Sequence, residues 1–274
     1  MPNAIIEGNL NTKFEKDLFR AALDNLESTS SPLAFNNFAY AIRELARHIL
    51  SRIAPDEDVK KCPWYKNESG DPDILTRRER IIYAIQGGLE NNYIRNTLGI
   101  DPRNTLTRFS KIIKKLNNFT HINEHTFDIS AQEITQHSKE TLETLTELFK
   151  LITSSWEAIV VPLKEQIDDE VFAKAIFETN PTIDTMATHH TVESVDVYAH
   201  EISKIDSKYI YIKAYGNLET ELQYGSCGDL RRGDGAVMPC SFPFTCDFRS
   251  RTSNPKNIIE EDYIIVVDES SWYE

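Results

Sequence analysis

The spacing of apolar residues changes near Asn180-Pro181, and this change limits the fold more than any other feature of the chain. Before it, apolar residues recur every three or four positions, as in amphipathic helices; after it they alternate, as in strands with one buried face. A chain of 274 residues can bury one large core or two modest ones. We therefore expect an α+β protein, with an all-helical bundle over residues 1–180 and a small antiparallel β-sandwich or barrel over residues 181–274.

Capping residues and prolines set the expected helix ends. Thr76 with Glu79, and Ser130 with Glu133, form capping-box patterns, and Pro162 should break the last long helix. The expected helices are 12–26, 31–55, 76–99, 101–117, a long helix from 130 to Pro162, and 164–178.

Alternating residues predict the strands of the second part. Gly216-Asn217 lies between two such runs, which indicates a hairpin with a two-residue turn. The Gly-rich segment 225–235 is expected to be a loop between strands that contacts a partner or a ligand. The expected strands are 194–205, 209–215, 218–224, 241–248 and 263–267.

The sequence has features of a soluble cytoplasmic protein without a bound metal or cofactor. It has no basic leader and no apolar window long enough to cross a membrane. The cysteines lack the spacing of a zinc site or a disulfide framework, so reduced thiols are expected. These cysteines are Cys62, Cys227, Cys240 and Cys246.

Charge is divided unevenly along the chain. Residues 1–120 hold 18 Lys and Arg against 15 Asp and Glu, whereas residues 121–274 hold 12 against 28. A polyanion such as RNA would therefore bind the first half. The candidate nucleic-acid-binding side chains are Arg47, Arg77, Arg78, Arg80, Arg108, Lys111, Lys114 and Lys115. An ordinary solvated face with salt bridges is the alternative for these cations.

The helix that ends at Pro55 carries the most readable chemistry. Arg43 and His48 flank its apolar stripe, about 140° apart at 100° per residue. Glu44 and Arg47 lie between them, so Arg43 and His48 can meet in one cleft only if two such helices pair. An imidazole can move protons near neutral pH and a guanidinium can stabilise phosphoryl charge, which suits RNA cleavage without a metal. The alternative is that both are ordinary helix-surface residues.

His121 is a third candidate catalytic residue, in a polar loop after the fourth helix. A second imidazole could serve as general acid beside a base at His48, and loops often carry function. The alternative is a structural role, in which the ring caps helix ends through hydrogen bonds.

Residues 37–48, NFAYAIRELARH, resemble the R-x4-6-H segment of the HEPN superfamily, which consists of helical domains that are often metal-independent RNases. This resemblance implies a homodimer with a composite site made of Arg43 and His48. Glu44 departs from the commonest motif, which has Asn, Asp or His there, and it could orient the site or mark an inactive member.

A wider set of segments resembles the predicted nucleases that associate with prokaryotic PIWI (pPIWI) proteins in antiviral defence. This resemblance implies a defence-system partner protein, with the β part regulating the site or docking that partner. The matching segments are 62–65, 76–89, 120–127, 221–236, 241–244 and the terminal SSWYE.

Two other functions stay open at this point. The helical part could bind nucleic acid or a nucleotide without catalysis, while the β part binds a protein. A metal-dependent nuclease could instead use Glu219, Glu221 and Asp229, with Asp234 and Asp247 nearby, because hard cations prefer clustered carboxylates.

Overall fold

The computed structural model describes residues 2–27, 31–177, 180–259 and 264–272 of the chain. The chain divides into two compact units, Met1–Ser155 and Trp156–Glu274. The boundary between the two units therefore comes earlier in the chain than the change in apolar spacing at Asn180-Pro181. None of the helices described is both long enough and apolar enough to span a membrane.

Seven α-helices and a single-turn π-helix make up the described part of the first unit. The short helices α1 and α4 and the π-helix Tyr93–Thr97 are additions to the sequence prediction. The α-helices are α1 (Pro2–Gly8), α2 (Lys13–Glu27), α3 (Ala34–Ile53), α4 (Asp56–Val59), α5 (Arg77–Gln86), α6 (Arg103–Phe119) and α7 (Ala131–Val160), the last of which extends past the unit's end.

Helix α3 is the centre of this unit, with α2, α5 and α6 packed against it. Its apolar stripe is buried, as the spacing predicts. Polar contacts fix α2 beside it, because the buried Glu15 accepts a 2.7 Å hydrogen bond from Arg52 Nε. The buried stripe residues include Phe35, Phe38, Ile42, Leu45 and Ile49.

Both predicted capping boxes are present. Thr76 and Glu79 exchange the expected hydrogen bonds at the start of α5, and Ser130 and Glu133 do so at the start of α7. The expected end of the third helix at Gly99 is wrong, because α5 stops at Gln86. Gly87 follows with a positive φ of 52°, and its carbonyl accepts a 2.7 Å hydrogen bond from Trp64 Nε1.

The second unit begins within the last part of α7, and Pro162 interrupts the helix soon afterwards, as expected. The Gly-rich segment 225–235 contains a short helix, so its description as a plain loop is wrong. Four residues named in the sequence analysis lie outside the described residues. They are Glu178 and Tyr263, at the ends of predicted elements, and the terminal Tyr273 and Glu274. The elements are a 3-10 turn (Val161–Leu163), α8 (Lys164–Phe177), α9 (Pro181–Asp184), β1 (His189–Ile205), β2 (Tyr209–Tyr224), α10 (Cys227–Arg232), β3 (Ala236–Arg251), β4 (Asn254–Ile258), β5 (Ile265–Val267) and a 3-10 turn (Ser270–Trp272).

The α+β class is confirmed, and the described strands form one antiparallel five-stranded sheet. The strand order is β1-β2-β3-β4, and β5 also pairs with β3. Helix α8 covers the apolar face of this sheet, where His200 Nε2 lies 2.7 Å from Asp168 Oδ1. A helix thus replaces the second sheet expected for a sandwich, and the linear strand order differs from that of a closed barrel.

The predicted hairpin at Gly216-Asn217 is wrong, because both residues lie inside β2, one continuous strand of 16 residues. Gly216 pairs with Val197 on β1 and with Phe244 on β3. A Cβ there would overlap the Asp196 carbonyl oxygen and lie 2.5 Å from the Phe244 ring. Glycine is therefore needed at position 216 because the backbone packs closely under the Phe244 ring, and this position is not part of a turn.

Gly216→Ala should destabilise the chain by about 1–3 kcal/mol, the usual cost of overpacking a filled site. Urea unfolding of the parent and the variant measures this loss. Gly228→Ala is the matched control, since a Cβ there meets its nearest neighbour at an ordinary 3.4 Å. Equal stability of Gly216→Ala and the parent would contradict the packing role.

Candidate active site on helix α3

A chain of hydrogen bonds links the polar side chains on the outer face of α3. Arg43 Nη2 donates to Glu44 Oε1 at 2.7 Å, and Arg47 Nε donates to Glu44 Oε2 at 2.8 Å. Arg47 Nη2 also lies 3.1 Å from His48 Nε2. Glu44 thus joins two guanidinium groups, and Arg47 connects that pair to the imidazole.

Glu44 is an ionised carboxylate in this arrangement. Partial burial raises its pKa, but hydrogen bonds and charge from Arg47 and Arg43 outweigh that effect and lower it below the ordinary value of 4.5. Glu44 therefore neutralises part of the positive charge around the site.

Arg43 has further contacts that hold its side chain in place. Its guanidinium lies 5.4 Å from the Tyr40 ring centroid, and Nη1 reaches Thr120 Oγ1 at the end of α6 at 3.4 Å. Arg43 Nε is buried and has no hydrogen-bond partner within the described residues. This donor is shielded from solvent, so an oxyanion could reach it only after the Arg43 side chain moves.

His48 is half-buried and packs edge-on against Phe14, with ring centroids 4.8 Å apart. A guanidinium can only donate, so a hydrogen bond from Arg47 needs an unprotonated His48 Nε2 with the proton on Nδ1. That form of the ring is the one that can accept a proton at Nε2. In this arrangement Arg47 engages the Nε2 lone pair, so that contact must open before Nε2 can take a proton from another group.

Arg77 at the start of α5 belongs to the same electrostatic cluster. Partial desolvation and repulsion from Arg43 and Arg47 lower its pKa, and attraction to Glu44 partly offsets this. Because Arg77 is exposed overall, the neighbouring charges are the more informative cause. The structure therefore brings four polar α3 side chains and Arg77 together on one surface.

His121 is exposed and follows Thr120 directly in the chain. Its carbonyl accepts a 2.9 Å hydrogen bond from Thr126 Oγ1, which orders the loop. Since Thr120 contacts Arg43, His121 belongs to the neighbourhood of the site, on the Arg43 side.

The remaining predicted cations separate into two groups. Four are paired, whereas Lys111 and Lys114 have no carboxylate partner in the described part of the chain. The paired ones are Arg78 with Glu68 at 3.2 Å, Arg80 with the Ala54 carbonyl and Asp56, Arg108 with Glu147, and Lys115 with Glu140.

The carboxylates of the second unit do not form a metal site within the described residues. Glu219 accepts a hydrogen bond from the Ser241 hydroxyl at 2.6 Å. Asp229 caps its own helix at Ser226 and pairs with Arg232. The four cysteines, all in the described part of the chain, form no disulfide.

Three neighbours of the site, Phe14, Tyr40 and Thr120, were absent from the sequence prediction. Tyr40 lies one helical turn before Glu44, so helix spacing could have found it. Phe14 and Thr120 come from α2 and the end of α6. The sequence carries no signal that places them beside α3.

Comparison with known families gives two matches. Two family models, both described as predicted pPIWI-associating nuclease, match residues 7–145 and residues 152–273. Together they span most of the chain. No curated protein and no solved structure matches it.

Glu44→Gln should destabilise the protein by about 1 kcal/mol at pH 7, because the neutral amide can accept at most one of the two hydrogen bonds and no longer carries the charge. The folded-state pKa of Glu44 is lowered, so its contribution is complete above the ordinary value of 4.5 and is lost as pH falls further. Urea unfolding at several pH values should show the difference from the parent shrinking below that value. Glu124→Gln, in an exposed loop, is the control. A difference that stays constant with pH would refute the assignment.

Proposed function

The chain belongs to the family of predicted pPIWI-associating nucleases, and from this membership we propose that it is a metal-independent endoribonuclease of an antiviral defence system. Its active site would combine Arg43 and His48 across a homodimer, as the resemblance to the HEPN superfamily implies. The observation that carries the proposal is the hydrogen-bonded array of Arg43, Glu44, Arg47 and His48 on the outer face of α3.

In this reaction the RNA itself supplies the nucleophile. His48 Nε2 accepts the proton of a 2′-hydroxyl, and the 2′-oxygen attacks the adjacent phosphorus. Arg43 stabilises the negative charge that develops on the phosphoryl oxygens. The bond from phosphorus to the 5′-oxygen then breaks, and that oxygen takes a proton from a second imidazole. His121 would supply it, leaving a 2′,3′-cyclic phosphate and a 5′-hydroxyl.

Helix geometry supports the use of two copies. In one copy Arg43 is bonded to Glu44 and His48 lies next to Arg47, so the base and the phosphate-stabilising group contact different neighbours and not each other. Phe14 and Tyr40, beside His48 and Arg43, are 54% and 55% exposed. These rings offer apolar surface that a symmetric contact through α3 would bury.

Glu44 decides between this function and a second candidate. For catalysis, an RNA phosphate must replace the carboxylate on Arg43. If the ion pairs of Glu44 with Arg43 and Arg47 persist, the same surface would bind nucleic acid without cleaving it. The observed double pairing of Glu44 favours this alternative over a metal-dependent nuclease, whose Glu219 and Asp229 have other partners.

The two units would have different tasks. Arg47 and Arg77 beside the site suit RNA phosphates, whereas the acidic second half of the chain repels them. We therefore assign the β unit to regulation of the site or to docking of a partner protein in the cytoplasm. The association with pPIWI proteins in the family description supports a protein partner.

Arg43→Ala and His48→Ala should each lower RNA cleavage in EDTA by about 100-fold or more, the range for removing a general base or a charge-stabilising donor. Gel analysis of an end-labelled RNA measures the rate and identifies the cyclic-phosphate product. His125→Ala, an exposed histidine of the loop after α6, is the control and should cleave like the parent.

Mixing the two inactive variants tests the shared site. Half of the dimers formed at random contain one copy of each variant, and each such dimer has one intact Arg43–His48 pair. Cleavage should therefore return to roughly a quarter of the parental rate. A mixture as inactive as its components would disprove the composite site, and unchanged cleavage by His48→Ala would remove the catalytic claim.

A further inference from the structure

A surface groove of about 510 Å³ lies between the start of α5 and one face of α6. Four of its side chains are cationic, and two hydroxyls and one leucine complete it. The lining residues are Arg78, Arg103, Leu106, Thr107, Ser110, Lys111 and Lys114. No carboxylate and no aromatic ring is among them.

Ion pairing divides the basic residues of α6 into two groups. Arg108 and Lys115 turn toward α7 and bind Glu147 and Glu140. Lys111 and Lys114 line the groove and have no carboxylate partner among the described residues. The two groups carry equal charge on the same helix, but only Lys111 and Lys114 line the groove.

The two arginines of the groove can also bind an anion. Arg78 binds Glu68 at 3.2 Å and Arg103 binds Asp101, both on the exposed surface. Exposed ion pairs of this kind contribute about 0–1 kcal/mol, so a phosphate can compete for the guanidinium groups at little cost.

The length of the groove favours a chain of phosphates over a single one. From Arg103 to Lys114 the helix advances roughly 16 Å at 1.5 Å per residue. Successive phosphates of a stacked strand are about 3.4 Å apart along the axis, so several can lie within this length. Without aromatic or acidic groups to contact a base, the groove would bind the backbone and not read sequence.

The groove also leads toward the candidate active site. Thr120, which contacts Arg43, lies about 9 Å beyond Lys114 along α6. At the start of α5, Arg78 lines the groove while the adjacent Arg77 interacts electrostatically with Arg43 and Arg47. One strand could therefore occupy both places.

We propose that this groove binds the sugar-phosphate backbone of a single RNA strand next to the cleavage site. The lysines and arginines contact phosphate oxygens, and the Ser110 hydroxyl donates to them. The Thr107 hydroxyl already donates to the Arg103 carbonyl at 2.8 Å, and Leu106 is buried in the helical core beneath the groove. This rests on the proposed RNase function for its link to cleavage. It predicts an enzyme that prefers oligonucleotides to very short substrates, with little dependence on the sequence beside the cut.

The test compares two double variants of the full-length protein, Lys111→Ala/Lys114→Ala and Arg108→Ala/Lys115→Ala. Each removes two positive charges from α6, and alanine preserves the helix. Binding of a fluorescein-labelled RNA of about 12 nucleotides, long enough to cover the groove, is measured by anisotropy in EDTA at several salt concentrations. His48→Ala is included throughout to prevent cleavage.

Loss of the groove lysines should weaken binding at least tenfold and lower the slope of log affinity against log salt by about 1.4, since each phosphate contact on a single strand contributes about 0.7. The Arg108/Lys115 control should change the slope little. Equal effects of the two double variants would overturn the proposal, as would full competition by millimolar inorganic phosphate, which indicates a site for one phosphate only.

Cleavage is measured separately with His48 restored. If no variant cleaves RNA but binding still depends on Lys111 and Lys114, the groove stands and the catalytic proposal fails. If the parent cleaves RNA and the two double variants bind equally, the catalytic proposal stands and the groove fails.

Discussion

Burial of one face of helix α3 is the constraint on which the helical unit depends. Phe35, Phe38, Ile42, Leu45 and Ile49 are almost fully buried, and α2, α5 and α6 pack around them. Because the buried face is fixed, the opposite face is fixed as well. Arg43, Glu44, Arg47 and His48 are thereby held on a rigid element, which is how precise sites are best supported.

The charges on that outer face explain the role of Glu44, which holds the neighbouring arginines together. Without it, Arg43, Arg47 and Arg77 would repel one another at close range. With it, one negative charge is shared between Arg43 and Arg47, both guanidinium groups are oriented, and Arg47 is placed against His48. The same carboxylate therefore organises this surface and, in the proposed reaction, would compete with the substrate phosphate for Arg43.

The sheet shows how one residue can support two interpretations of a sequence. Gly216-Asn217 between alternating runs fits a two-residue turn, and the same glycine fits the middle of a long strand beneath an aromatic ring. The choice depends on Phe244, 28 positions later, which pairs with Gly216 across the sheet. Local turn propensity cannot contain that information, and the long-range pairing overrides it. The helix that covers the sheet is a second case of this kind, because the helical spacing of the α8 residues does not reveal that α8 packs on strands.

The sequence by itself determined the α+β class, the stripe of α3, the caps at Thr76 and Ser130, the break at Pro162, and the outward position of Arg43 and His48. These follow from local periodicity and from hydrogen bonds within a few residues, which short segments encode. Only the tertiary structure decided that Thr120, Phe14 and Arg77 surround α3, and which cations on α6 are paired. Contacts between elements far apart in the chain depend on how helices pack, and such packing leaves no periodic signal in the sequence.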